Sequence, residues 1–179
     1  MHEFGGDIKI DISAVGTFMC RVAGEVGDGV HVHLMHSMDY VHRHLLPKVG
    51  EGVHKADRSM DDVDLIFPVL AAPGNSPEET SKYVALARRQ IAFYGSTPNY
   101  VFQFEDLGFA GLREALRERL KVGDIDGMCA MVDDDLLEHF AMVAKWDDLA
   151  DQLIYRCRGL TSRIVMYFGR QSLLEDPQN

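Results

Sequence analysis

Residues 8–33 read IKIDISAVGTFMCRVAGEVGDGVHVH, and this stretch sets the fold class. Ile8, Ile10, Ile12 and Ala14 alternate with Lys9, Asp11 and Ser13, the period of two that a strand requires, and the run closes at Gly16. Thr17 then caps a helix whose Met19, Val22, Ala23 and Val26 fall on one stripe, with Gly27 and Gly29 to stop it. Gly29 to His33 forms a second β-branched strand. Strand, helix, strand is the unit of a right-handed parallel crossover, which needs both faces of its sheet covered.

Working outward, Asp39 opens a helix with Val41, Leu45, Val49 and Val53 in register, which Pro47, Gly50 and Gly52 should kink or weaken. Val63 to Ala72 is an apolar run of strand length, whose Pro68 demands a bulge or an unpaired amide. From Ser76 to Gly159 the pattern is helical almost throughout. Ser76, Pro77, Glu78 and Glu79 start the first helix with a cap, a proline in the first turn and two acids at the positive end of the dipole. Further helices are predicted over Phe109 to Val122, Asp124 to Val132, Asp133 to Val143 and Asp147 to Arg158. Ser162 to Phe168 closes the pattern as a fourth strand. The order is that of an α/β protein with four parallel strands and an expanded helical segment before the last. One domain over residues 1–170 and a polar tail over 171–179 are expected.

Acidic side chains number 28 against 18 basic among 179 residues, a formal charge of −10, which argues against the phosphate-neutralising surface of a nucleic-acid binder. Cys20, Cys129 and Cys157 are odd in number and form no CxxC pair, which fits a reducing compartment and predicts a cytoplasmic location. No apolar run approaches the length of a membrane span, so no membrane partner is expected.

Three stretches resemble one known family. Ile12 to Gly16 followed by Arg21 to Gly29 and His31 to His33, then Ala87 to Tyr100, then Asp133 to Leu137 with Arg163 to Phe168, are similar to the carboxyl-terminal half of luciferase-like monooxygenases. The likeness is strongest to the branch that uses the deazaflavin coenzyme F420. The resemblance implies half of a (β/α)8 TIM-type barrel and a flavin- or deazaflavin-dependent oxidoreductase acting on a small molecule, with coenzyme F420 or FMN as cofactor. It implies that Ser13, Ala14, Val15, Gly16 and Thr17 meet the cofactor phosphate, while His31, His33 and His36 form a polar pocket wall. It carries over no catalytic residue, because the half that supplies the family's catalytic histidine has no counterpart here. The family commonly has proline where Thr17 stands and Pro-Phe where Leu34 and Met35 stand.

Independently of the family, a strand ending in small residues, a glycine turn and a hydroxyl-bearing helix start present free amides to an anion. His31 and His33 are two apart on a strand and share a face. The histidine trio suits zinc in residue type, but the resembled family tolerates the pattern without a metal, and no metal is assigned. Asp133, Asp134 and Asp135 read as a helix start, and His42 and His44 as solvated or packing residues. A half barrel leaves two open edges and an apolar concave face, which predicts a homodimer with the last strand of one chain beside the first strand of its mate. The competing reading is a non-catalytic relative that binds flavin or only itself.

Overall fold

The computed structural model describes residues 8–168. Strand β1 (Asp11–Ala14) leads through helix α1 (Thr17–Val26) to β2 (Gly29–Val32), as the opening stretch predicts. Helix α2 (Met38–Tyr40), a π turn (Val41–Leu45) and α3 (Leu46–Lys55) run on without interruption to a loop before β3 (Asp64–Pro73). Then come α4 (Pro77–Gly95), α5 (Val101–Asp106), α6 (Leu112–Lys121), α7 (Ile125–Ala130), α8 (Asp134–Phe140), β4 (Ala141–Ala144), α9 (Trp146–Cys157) and β5 (Arg163–Met166). The expected tail over 171–179 lies outside the described residues.

Every strand pair is parallel: β1 with β2, β2 with β3, and β3 with both β4 and β5. Among the described residues five strands form the sheet, one more than the sequence predicts. The extra strand is Ala141–Ala144, read from sequence as the end of a helix. No glycine or proline separates Phe140 from Ala144, so local sequence carries no stop; the helix ends because these residues pair with Leu70 to Pro73. Arg156 of α9 fixes that junction, donating to the carbonyl oxygens of His139 at 2.8 Å and Ala141 at 3.2 Å.

Pro68 is accommodated by strand parity. The amides of Ser162 and Tyr167 donate to the carbonyls of Leu65 and Val69, so odd residues of β3 face β5. Even residues face the other side, where Asp64 donates to Asp28 and Gly74 to Ala144. On that side β2 pairs only as far as Ile66 and β4 begins at Leu70. The missing N–H of Pro68 falls in the gap between them. Pro47 is handled differently: the widened turn Val41–Leu45, in which the Leu46 amide donates to the Val41 carbonyl, absorbs the proline that follows, and the helix continues.

The core lies where α1 and α3 pack on the sheet, around Val30, Val32, Tyr40, Val41, Val49 and Phe67. Helix α1 buries only part of its predicted stripe, Ala23 fully and Val22 in part. Cys20, Ala23 and Gly24 face inward, while Phe18, Met19 and Val26 are exposed, because close approach to α3 selects the side with the smallest residues. A Cβ at Gly52 would lie 1.9 Å from the Arg21 carbonyl oxygen, and one at Gly24 would lie 2.2 Å from that of Val49. The face away from the helices carries the row Ser13, His31, Ile66 and Arg163, with Asp11, Asp64 and Pro68 on the same side. Asp11, Ser13, Asp64 and Arg163 are exposed there. The concave face is thus mixed and charged, not the apolar one expected, since the apolar residues of each strand alternate toward the helices.

Candidate functional site

The carboxyl ends of β1 and β2 meet at a cavity of about 290 Å³ lined by Ser13, Ala14, Val15, His31 and His33, with Tyr94 and Tyr167 among its other walls. Ser13 and Val15 also line a neighbouring cavity of about 740 Å³, which takes in Gly16, Thr17 and Tyr100. Seven of the eight residues the sequence singles out therefore border two adjoining spaces. His36 is placed elsewhere: it is buried, its Nδ1 is 2.9 Å from the His33 carbonyl oxygen and its ring packs on Phe67. Burial pushes its pKa down to about 4, so the ring is neutral around pH 7. No group of three or more metal-ligating side chains is present among the described residues.

The turn after β1 is shaped from beneath. Gly16, not Thr17, occupies the cap position of α1, with extended φ −74° and ψ 153° and no side-chain cap. The Tyr40 hydroxyl donates to the Val15 carbonyl at 2.6 Å and lies 3.5 Å from the Cys20 sulfur. In a trans peptide the carbonyl and the following N–H point in opposite directions, so drawing the Val15 oxygen inward turns the Gly16 N–H outward. Nothing lies within 4 Å of where a Gly16 Cβ would stand. The result is an open strand-to-helix turn with an outward amide at the positive end of a ten-residue helix. Replacing Tyr40 with Phe removes this hold; we expect a stability loss of about 1 kcal/mol in a denaturant melt and a changed chemical shift for the Gly16 amide.

His33 is held by aromatic residues that the sequence assigned no role. His33 lies edge-on to Tyr94, with centroids 4.8 Å apart, and its Nε2 is 3.0 Å from the Tyr100 hydroxyl. Burial and the neighbouring His31 push the His33 pKa down, and burial pushes that of Tyr100 up. Both rings are uncharged at neutral pH. Tyr94 and Tyr100 come from the end of α4 and the turn after it, where helical periodicity makes an aromatic residue look like core.

The luciferase-like monooxygenase family model matches residues 2–162. The chain belongs to that family. An uncharacterized protein of Mycobacterium tuberculosis is 33% identical over 160 residues, which are 89% of this chain and 47% of the relative. The 5,10-methylenetetrahydromethanopterin reductase of Methanopyrus kandleri is 26% identical over 163 residues, 90% of this chain and 45% of the enzyme. The solved structure of the coenzyme F420 dependent tetrahydromethanopterin reductase from that organism superposes with a TM-score of 0.72 at 24% identity. The match covers 88% of this chain and 44% of that one. This luciferase-like chain thus has the fold of half a (β/α)8 barrel, and spans less than half the length of the relatives it matches. No helix among the described residues is long and apolar enough to cross a membrane.

Other concavities carry less chemistry. One of them, about 1030 Å³, lies between α4, α8, β4 and α9. Its half-buried cation, Arg156, already donates to two backbone carbonyls. Asp133, as the sequence suggests, accepts from the Leu136 amide at 2.9 Å and caps α8.

Proposed function

We propose that this chain is the cofactor-holding half of a flavin- or deazaflavin-dependent oxidoreductase of the luciferase-like type, acting on a small molecule. The single observation that carries the reading is the pair of adjoining cavities at the carboxyl ends of β1 and β2, one around the open Ala14–Thr17 turn and the other walled by His31 and His33. Coenzyme F420 and FMN each join an anionic phosphate to a planar ring with polar edges. The turn fits the first part. The smaller cavity, with Leu34, Pro68 and Val165 as apolar walls beside the imidazoles of His31 and His33, fits the second. Bound there, such a cofactor supplies hydride chemistry, and the chain supplies binding and orientation. The Gly16 and Thr17 amides would meet the phosphate, and His31 and His33 would contact the ring edge. The names of the relatives, which include F420-dependent enzymes, favour the deazaflavin.

Titrating the purified protein with coenzyme F420 and with FMN tests this. We expect saturable fluorescence quenching by at least one of them in the low micromolar range or tighter; no quenching by either at high micromolar concentration sinks the reading. The three cysteines are unpaired, in keeping with a reducing cytoplasm as the place of action.

We also propose that a second copy of the chain closes the sheet. In support, β1 and β5 each have one strand neighbour among the described residues, and exposed apolar side chains flank them, among them Ile10, Phe18, Met19, Val165 and Tyr167.

A further inference from the structure

His33 has a tautomer fixed by its backbone. The Met35 amide donates to His33 Nδ1 at 3.1 Å, so that nitrogen holds a lone pair and the ring proton sits on Nε2. Nε2 is 3.0 Å from the Tyr100 oxygen. With its proton on Nε2, His33 donates and Tyr100 accepts. The Tyr100 hydroxyl proton then has no acceptor in His33, and this hydroxyl hydrogen-bonds to no other protein group among the described residues. The Tyr94 ring, 5.0 Å from that of Tyr100 and edge-on to His33, packs against both members of the pair. Tyr100 is half-buried and lines the cavity that also takes in Gly16 and Thr17.

We propose that Tyr100 is a binding and specificity residue of this site: His33 turns its hydroxyl into an obligate donor, which recognises a ligand oxygen that accepts and cannot donate. Here His33 is the positioning residue and Tyr100 makes the contact. A phosphorylated flavin or deazaflavin offers such oxygens both in its phosphate and in its ring carbonyls, and the inference rests on the cofactor reading above. A site arranged in this way discriminates strongly, because a ligand that presents a donor at this point leaves two protons facing one another.

Two measurements on the full chain test it. Long-range 15N–1H correlation on the wild-type protein is expected to show His33 with a bare Nδ1 and a protonated Nε2; a protonated Nδ1 overturns the proposal whatever else is found. Fluorescence titration then compares wild type with Tyr100→Phe, using FMN and coenzyme F420 beside riboflavin and the deazaflavin chromophore without phosphate. We expect Tyr100→Phe to bind the phosphorylated ligands about tenfold more weakly while its thermal melt falls by only about 2–4 °C. A loss confined to those ligands assigns the contact to phosphate; an equal loss with the phosphate-free rings assigns it to a carbonyl. Wild-type binding with unchanged affinity in Tyr100→Phe overturns this inference and leaves the cofactor reading standing. Absence of wild-type binding to every ligand removes both.

Discussion

Gly52→Ala should cost about 3 kcal/mol and lower the melting temperature by roughly 10 °C, while Gly50→Ala, two residues away on the same helix, should raise stability by about 0.5–1 kcal/mol. The helix propensity gain is the same for both, so the difference isolates packing. At Gly52 the new methyl would stand 1.9 Å from the Arg21 carbonyl oxygen and 2.8 Å from the Glu25 amide nitrogen. Both are backbone atoms of α1, and no side chain can swing aside. At Gly50 nothing lies within 4 Å. Relief at Gly52 requires α1 and α3 to separate, which unpacks Cys20, Ala23 and Val49 from the buried core. It also moves the Cys20 end of α1 relative to Tyr40 and so disturbs the turn at Val15 and Gly16. Gly24→Ala, with its methyl 2.2 Å from the Val49 oxygen, should act in the same direction. Chemical denaturation of the three variants, read by circular dichroism, checks this; equal stability of Gly50→Ala and Gly52→Ala would remove the close helix crossing from the account of the fold.

That glycine pair shows where sequence reading reaches its end. Gly52 reads as a weak point inside a helix, because propensity is a property of one segment and a helix crossing is a property of two. The stripe on α1 holds at Ala23 and fails at Met19 and Val26 for the same reason: those two are the more apolar choice, yet the partner helix selects the side with the smallest residues. The β1, α1, β2 unit, the Ser76 start of α4 and the parallel sheet were legible, since each depends on local periodicity, capping or connection length. Strand β4 was not, because Ala141 to Ala144 takes its conformation from β3 and not from its own residues. The site divides in the same way. Ser13 to Thr17, His31 and His33 are carried by one strand-helix-strand unit and could be read together. Tyr40, Tyr94 and Tyr100 reach the site from three other places, and only coordinates show that they orient the residues the sequence revealed.

A variant that blocks one strand edge should halve the mass of the particle in solution. The proposed pair has a molecular mass of about 40 kDa, twice the 20.1 kDa of the chain. Its formation depends on backbone groups of β1 and β5 that have no strand partner among the described residues. The Ile10 carbonyl accepts from the Asp28 amide on the β2 side, so by alternation Asp11 and Ser13 direct their amides to the open edge of β1. On β5 the Tyr167 amide faces β3, which leaves Ile164 and Met166 directed to the other open edge. Asp11→Pro removes a donor from the open edge and none from the β1–β2 ladder, and Asp11 is exposed. We therefore expect the purified variant to run at about 20 kDa by size exclusion with light scattering and to keep the far-ultraviolet spectrum of the wild type. Asp11→Asn, which keeps the amide, should remain paired. Charge acts beside the hydrogen bonds: exposed Asp11 on β1 and exposed Arg163 on β5 stand on the two edges that a mate would bring together, so high salt should weaken the pair. Because the burial of Ile10, Phe18 and Tyr167 outweighs a single surface ion pair, salt alone should not abolish it. A wild-type chain that runs as a monodisperse 20 kDa particle, or an Asp11→Pro variant that stays at twice that mass, would exclude closure by a second copy through these edges.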